Sequence, residues 1–130
     1  MERNILFVNC TGTQPGSLEA LKKEGFRVDM VHDSDTAIQR LNFQEYDVTI
    51  LQVSPSAESW QFCRDVRRIS TLPLIVISNN AGTEDCVKAI NAGADFFMRK
   101  PFGPQELVAR IKALLYRSNI QTRRQPIPAS

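Results

Sequence analysis

Long apolar runs, clustered cysteines and histidine are all scarce in this chain, and each shortage removes a class of function. No apolar segment approaches the roughly 20 residues that cross a bilayer. The apolar stretch in "MERNILFVN" is too short for a secretory signal. The chain is therefore expected in the cytoplasm, with no membrane partner. Its three cysteines, Cys10, Cys63 and Cys86, form no C-x-x-C pair, and their odd number argues against a disulfide framework. They are expected reduced and without redox function. The single histidine, His32, is remote from all three in sequence, so no metal cluster is expected. It is placed at the far end of a strand beside solvent, with no nucleophile to serve. No enzymatic activity and no cofactor are expected.

Charge of one sign is also wanting. The formal net charge is +2, but the final stretch "RSNIQTRRQPIPAS" holds Arg117, Arg123 and Arg124 and no acid. Sixteen basic residues less these three leave 13 against 14 acidic ones, so the body is nearly neutral. It has no nucleic-acid footprint of its own.

What the chain does have is a regular beat of apolar runs and helical periods. "NILFVN", "DVTILQV" and "LPLIVIS" read as buried strands, "FRVDMV" as a strand near a sheet edge, and "ADFFMRK" as a fifth strand. Between them lie helical stretches. "SLEALKKEG" places Leu18 and Leu21 on one face and stops at Gly25. "SDTAIQRLNF" is capped by Ser34 and turns Ala37, Ile38 and Leu41 inward. "SWQFCRDVRRI" buries Phe62, Val66 and Ile69. "TEDCVKAINAG", capped by Thr83, turns Val87 and Ile90 inward and ends at Gly93. "PQELVARIKALLYR" carries the strongest stripe, Leu107, Val108, Ile111, Leu114 and Leu115.

Five strand-then-helix units predict an α/β domain, a doubly wound five-stranded parallel sheet with helices on both faces. Residues 1–116 form the domain; residues 117–130, with Pro126 and Pro128, read as a linker or tail leading to an absent effector domain. In such a sheet the functional crevice lies at the C-terminal strand ends. There the chain places Asn9, Cys10, Gln52, Ser78, Asn79, Lys100 and Pro101. The set holds one cation and no carboxylate.

The stretch "GADFFMRKPFGPQELVARIKALL" resembles the end of a two-component receiver domain, with its lysine–proline–phenylalanine turn and following helix. "EYDVTILQV" and "LPLIVIS" are similar to that family's third and fourth strands. The likeness runs over residues 4–116, with one-residue shortenings near residues 11–17 and near Ser54. It implies the flavodoxin-like (βα)5 fold with strand order 2-1-3-4-5. In a working member, two acids after the first strand hold Mg²⁺ and an aspartate after the third accepts a phosphoryl group. The acid pair maps onto Asn9 and Cys10, and the acceptor onto Gln52. All three carboxylates are replaced, so the resemblance is to a degenerate receiver.

Mg²⁺ wants hard oxygen donors and is expected to bind poorly or not at all. An amide carbonyl cannot take up a phosphoryl group as a carboxylate does. Glu58, in the next loop, and Asp47, at the wrong strand end, are not placed to substitute. The resemblance leaves Ser78 at the hydroxyl position, Lys100 at the phosphoryl-binding lysine, and Phe97 at the aromatic whose rotamer reports activation. It also implies a cis Lys100–Pro101 bond. Lys100 is expected to bond Gln52 Oε1 or backbone carbonyls.

"NCTGTQPGS" has the composition of the loop that wraps an FMN phosphate in flavodoxins. Pro15 removes one N–H from it, and aromatics to sandwich a flavin are wanting. It is read as the replaced acid site.

The resemblance further implies a partner or dimer face on the fourth helix, fifth strand and fifth helix. Asp95, Glu106 and Arg110 match the charged set of winged-helix transcriptional response regulators there. Cys86 replaces a usual lysine and Phe96 a usual aspartate. Phe96 is expected to point outward and centre a phosphorylation-independent contact with a homodimer mate or protein partner. DNA would be reached only through a missing C-terminal domain; the alternative is a stand-alone adaptor that binds a kinase or regulator.

Overall fold

A computed structural model of the chain describes residues 3–13, 15–79 and 81–123. Ten elements alternate along it: β1 (Arg3–Asn9), α1 (Leu18–Lys23), β2 (Phe26–Val31), α2 (Ser34–Phe43), β3 (Val48–Val53), α3 (Ala57–Ile69), β4 (Leu74–Ser78), α4 (Thr83–Asn91), β5 (Phe96–Arg99) and α5 (Pro104–Arg123). The strands form one parallel sheet in the order β2-β1-β3-β4-β5. This is the expected doubly wound topology.

Side chains alternate across each strand, and the sheet divides the core accordingly. Leu6, Val8, Leu51, Val53 and Val76 meet α2, α3 and α4 on one face. Ile5, Phe7, Ile50, Ile75, Ile77 and Met98 meet α1 and α5 on the other. On α5 the expected stripe holds: Leu107, Val108 and Ile111 are buried, with Leu114 and Leu115 packed beside them. Each fully buried aliphatic side chain of this kind is worth about 1.5–3 kcal/mol.

Several local expectations change. Asp33, not Ser34, caps α2, its carboxylate accepting from the Thr36 N–H at 2.7 Å. Gly82, not Thr83, is the N-cap of α4, and the Asp85 carboxylate accepts the Gly82 N–H at 2.8 Å. On α3, Trp60 and Cys63 join Phe62 and Val66 in the core, while Ile69 is exposed. On α4 the inward residue is Ala89; Val87 and Ile90 are 53% and 43% exposed. Val87 and Ile90 do share one stripe. The small Ala89, whose carbonyl lies against the buried Cys63 thiol, lets α4 sit close to α3 with that stripe turned out. Finally, α5 runs on through Arg123 instead of ending at Arg117, and the remaining residues of the expected linker lie outside the described ones.

The sheet edge opposite the crevice is fastened by Arg67. Its Nε and Nη2 donate to the Gly93 carbonyl at 2.9 and 2.7 Å, and Nη1 to that of Leu72 at 2.8 Å. Nη2 also meets Asp95 Oδ2 at 2.7 Å, and the same oxygen accepts the Leu74 N–H at 2.7 Å. Asp95, expected on a partner face, is thus engaged within its own chain. Gly93 has φ +118°, and a Cβ there would stand 2.8 Å from Arg67 Cγ; the turn requires glycine on both counts.

Candidate functional site

Parallel register brings the strand ends together: Asn9 lies beside Gln52, and Val53 beside Ser78. Asn9, Gln52 and Ser78 are 3%, 1% and 1% exposed. Buried amides of this kind must find partners or cost stability. Gln52 finds them through its nitrogen. Nε2 lies 3.0 Å from Asn9 Oδ1, 3.0 Å from Thr11 Oγ1 and 3.1 Å from the Thr13 carbonyl. Asn9 Oδ1 also accepts from Thr11 Oγ1 at 2.9 Å and from the Thr11 N–H at 3.2 Å, while Asn9 Nδ2 donates to the Thr13 carbonyl at 2.8 Å. The β1–α1 loop is therefore folded down onto the Gln52 amide.

That arrangement bears on both readings of the loop. The N–H groups of Thr11 and Thr13 are directed into the cluster, the latter to Thr11 Oγ1 at 3.3 Å. They do not form an outward cradle for a phosphate. Nor does the cluster suit Mg²⁺, the ion that the fold implies. Asn9 Oδ1 is already accepting three hydrogen bonds, and Gln52 presents N–H donors where a cation needs oxygen lone pairs. Burial and the neighbouring Asp33 carboxylate both push the Cys10 thiol up, so it stays protonated at neutral pH. Among the described residues, no three His, Cys, Asp or Glu side chains converge as a metal site.

The sequence placed Asn9, Gln52, Ser78 and Lys100 at one end of the sheet, and the structure brings them there. Lys100 and Gln52 both line a cavity of about 560 Å³ whose other walls include Ser17, Asn79, Pro101 and Phe102. The expected bond from Lys100 to Gln52 Oε1 is not made: Oε1 is buried and, among the described residues, has no hydrogen-bond partner. The Lys100 backbone N–H donates to the Ser78 carbonyl at 3.0 Å, and the Lys100–Pro101 peptide is cis as expected. Ser78 Oγ makes only a long contact of 3.4 Å to the Asn79 carbonyl.

Sequence reasoning missed three members. Thr11 and Thr13 were visible only as loop polarity, because nothing in the sequence says which way their groups turn. His32 is exposed as expected, but β2 runs parallel to β1, so the residue following Val31 also falls next to Asn9. Its Nδ1 lies 3.3 Å from the Asn9 carbonyl, to which the Nδ1–H form donates. The alignment of two parallel strands was the available signal.

Across β5, successive residues face opposite cores. Phe97 tilts against Trp60, ring centroids 6.5 Å apart, on the α3 and α4 side. Phe96 turns to the α5 side, where the Arg110 guanidinium sits 4.4 Å over its ring. Phe96 is thus half-buried under Arg110 instead of pointing freely outward. Cys86 is half-buried and Glu106 exposed.

This architecture has known relatives. A transcriptional regulatory protein of Bacillus subtilis (strain 168), YclJ, is 40% identical to this chain over 96 residues, or 73% of this chain and 42% of that protein. The chain thus spans less than half of that curated relative. A putative response regulator from Chloroflexus aurantiacus J-10-fl superposes with a TM-score of 0.78 at 28% identity, covering 89% of this chain and 99% of that one. A CheY-like receiver domain from Methanospirillum hungatei JF-1 shares the fold with a TM-score of 0.82 at 21% identity, over 93% and 99% of the two chains. The family model described as "Response regulator receiver domain" matches residues 15–112. Five parallel strands in this order, a polar crevice at their C-terminal ends and that match over most of the chain make it a member of the response regulator receiver domain family.

Proposed function

We propose that this receiver domain works without phosphorylation, Asn9, Cys10 and Gln52 standing at the family's acidic positions. The observation that carries the reading is the Gln52 amide, whose nitrogen donates into Asn9, Thr11 and Thr13. A carboxylate at this position would attack phosphorus and need a cation beside it. A neutral amide does neither, and it closes the loop by hydrogen bonds alone. Ser78 and Lys100 are left from the response machinery without an acceptor to serve. Signalling then falls to protein contacts at the α4–β5–α5 face, between two copies or with another protein. The exposed apolar residues of α4, Val87 and Ile90, supply contact area there. The likeness to a longer transcriptional regulator supports an output through a DNA-binding domain following the receiver.

The test has two arms. The chain is exposed to a small-molecule phosphoryl donor with Mg²⁺ and digested for mass spectrometry; no acid-labile phosphoryl adduct is expected on residues 47–58. Beryllofluoride with Mg²⁺ is then titrated while Trp60 fluorescence is followed, and no saturable change is expected. An adduct in the first arm or saturation in the second overturns the proposal.

A further inference from the structure

Between α3 and α4 lies a second cleft, of about 480 Å³, that shares no wall residue with the strand-end cavity. Helical spacing builds its walls. Ala57, Trp60 and Arg64 stand three and four residues apart on one face of α3, and Asp85 and Lys88 stand three apart on α4. The volume lies in the range of about 300–1,000 Å³ typical of small-molecule sites.

Trp60 is the buried member of this lining, and one of its groups is unused. The residue is 5% exposed and its ring leans on Phe97. Its indole N–H, a donor only, has no hydrogen-bond partner among the described residues. The side-chain atoms sealed from solvent without a partner are Thr49 Oγ1 and Gln52 Oε1. The indole nitrogen is not one of them, so it opens at the surface, and the surface that Trp60 lines is the cleft.

Two cations share that lining. Lys88 makes no hydrogen bond or ion pair among the described residues. Arg64 spends Nε and Nη2 on Gln61 Oε1, at 3.4 and 3.1 Å, and keeps Nη1 without an acceptor among the described residues. The carboxylate in the lining, Asp85, is committed at Oδ2 to the Gly82 N–H at 2.8 Å. The cleft thus offers three unspent donors, one neutral and two cationic, and these call for an anion. Trp60 and Arg64 are four residues apart, about 6 Å along the helix axis at about 1.5 Å per residue. That spacing suits two carboxylates joined by a short hydrocarbon chain, whereas a single carboxylate leaves one cation unmatched.

We infer that the α3–α4 cleft binds a small dicarboxylate, one carboxylate accepting from Trp60 Nε1 and Lys88 Nζ and the other from Arg64. Its occupancy is carried to β5 by the Trp60 ring, whose centroid lies 6.5 Å from that of Phe97. The site is independent of the reading of the strand-end pocket: a phosphoryl adduct on residues 47–58 would leave it standing.

The chain has one tryptophan, so its indole N–H gives a single NMR signal. The whole chain, without Mg²⁺ and at constant ionic strength, is titrated with succinate and with glutarate. A saturable shift of that signal, with the Phe97 ring moving alongside, is expected with at least one of them. Butyrate, which keeps the length of succinate and loses one carboxylate, is expected to bind about tenfold more weakly. Arg64→Met and Lys88→Met, each shown to be folded by circular dichroism, are expected to weaken binding by about tenfold. Lys23→Met, which removes the same charge from α1 on the other face of the sheet, should bind like the parent chain. The inference falls if neither acid saturates at millimolar concentration, or if butyrate binds as tightly as succinate. It falls equally if the folded Arg64→Met and Lys88→Met variants bind like the parent, or if Lys23→Met loses binding as they do. A Phe97 ring that stays still while the indole signal saturates strikes out the link to β5.

Discussion

Two helices of this domain have similar amphipathic sequences and opposite fates. α5 spends its apolar stripe inside, with Leu107, Val108 and Ile111 against β1, β3 and β4 and a Lys112–Glu24 ion pair fastening it to the end of α1. α4 buries only Ala89 from its central turns and holds Val87 and Ile90 toward solvent. Periodicity finds the stripe in both cases, but it carries no information about which way the stripe faces. That is decided by the neighbour. Against α3 and the edge of the sheet, the smallest residue makes the closest approach. An outward apolar stripe on a helix is then a resource for another molecule.

The comparison can be broken by substitution, most severely on α5. Ile111→Ala should cost about 2–5 kcal/mol in urea unfolding, since the cavity it leaves is enclosed by the sheet. Gly93→Ala strikes where the chain leaves α4. Positive φ and the packed Arg67 side chain together should cost about 1–3 kcal/mol by the same measurement. Arg110→Ala removes the guanidinium from the Phe96 ring and should cost about 0.5–1 kcal/mol. Ile90→Lys should leave stability within about 0.5 kcal/mol of the parent. In sedimentation, however, it should abolish any self-association or partner complex. If Ile90→Lys instead unfolds the protein as readily as Ile111→Ala does, the two helices are alike and α4 holds no contact surface.

The fold was legible because three central strands read as continuous apolar runs and five units keep one rhythm, which leaves few topologies. The strand-end positions Asn9, Gln52, Ser78 and Lys100 followed from the same logic. What escaped was direction and partnership. Asp33 displaced Ser34 as a cap one residue away, because both side chains offer an oxygen and only backbone geometry chooses between them. Asp95 looked like a surface charge until β4 and Arg67 closed around it. Phe96 looked exposed because its cover, Arg110, lies a helix away in sequence. The Lys100–Gln52 bond was a reasonable pairing by charge and polarity. The amide satisfied its nitrogen first.

The inward-turned amide of Gln52 has one more consequence. Carboxylates, thiols and imidazoles change protonation somewhere between acid and mild alkali; a side-chain amide does not. At these three contacts the loop over β1 and β3 is therefore insulated from acidity and from the supply of divalent ions. It is latched by three short neutral contacts that only a competing donor or acceptor of matching shape can prise apart.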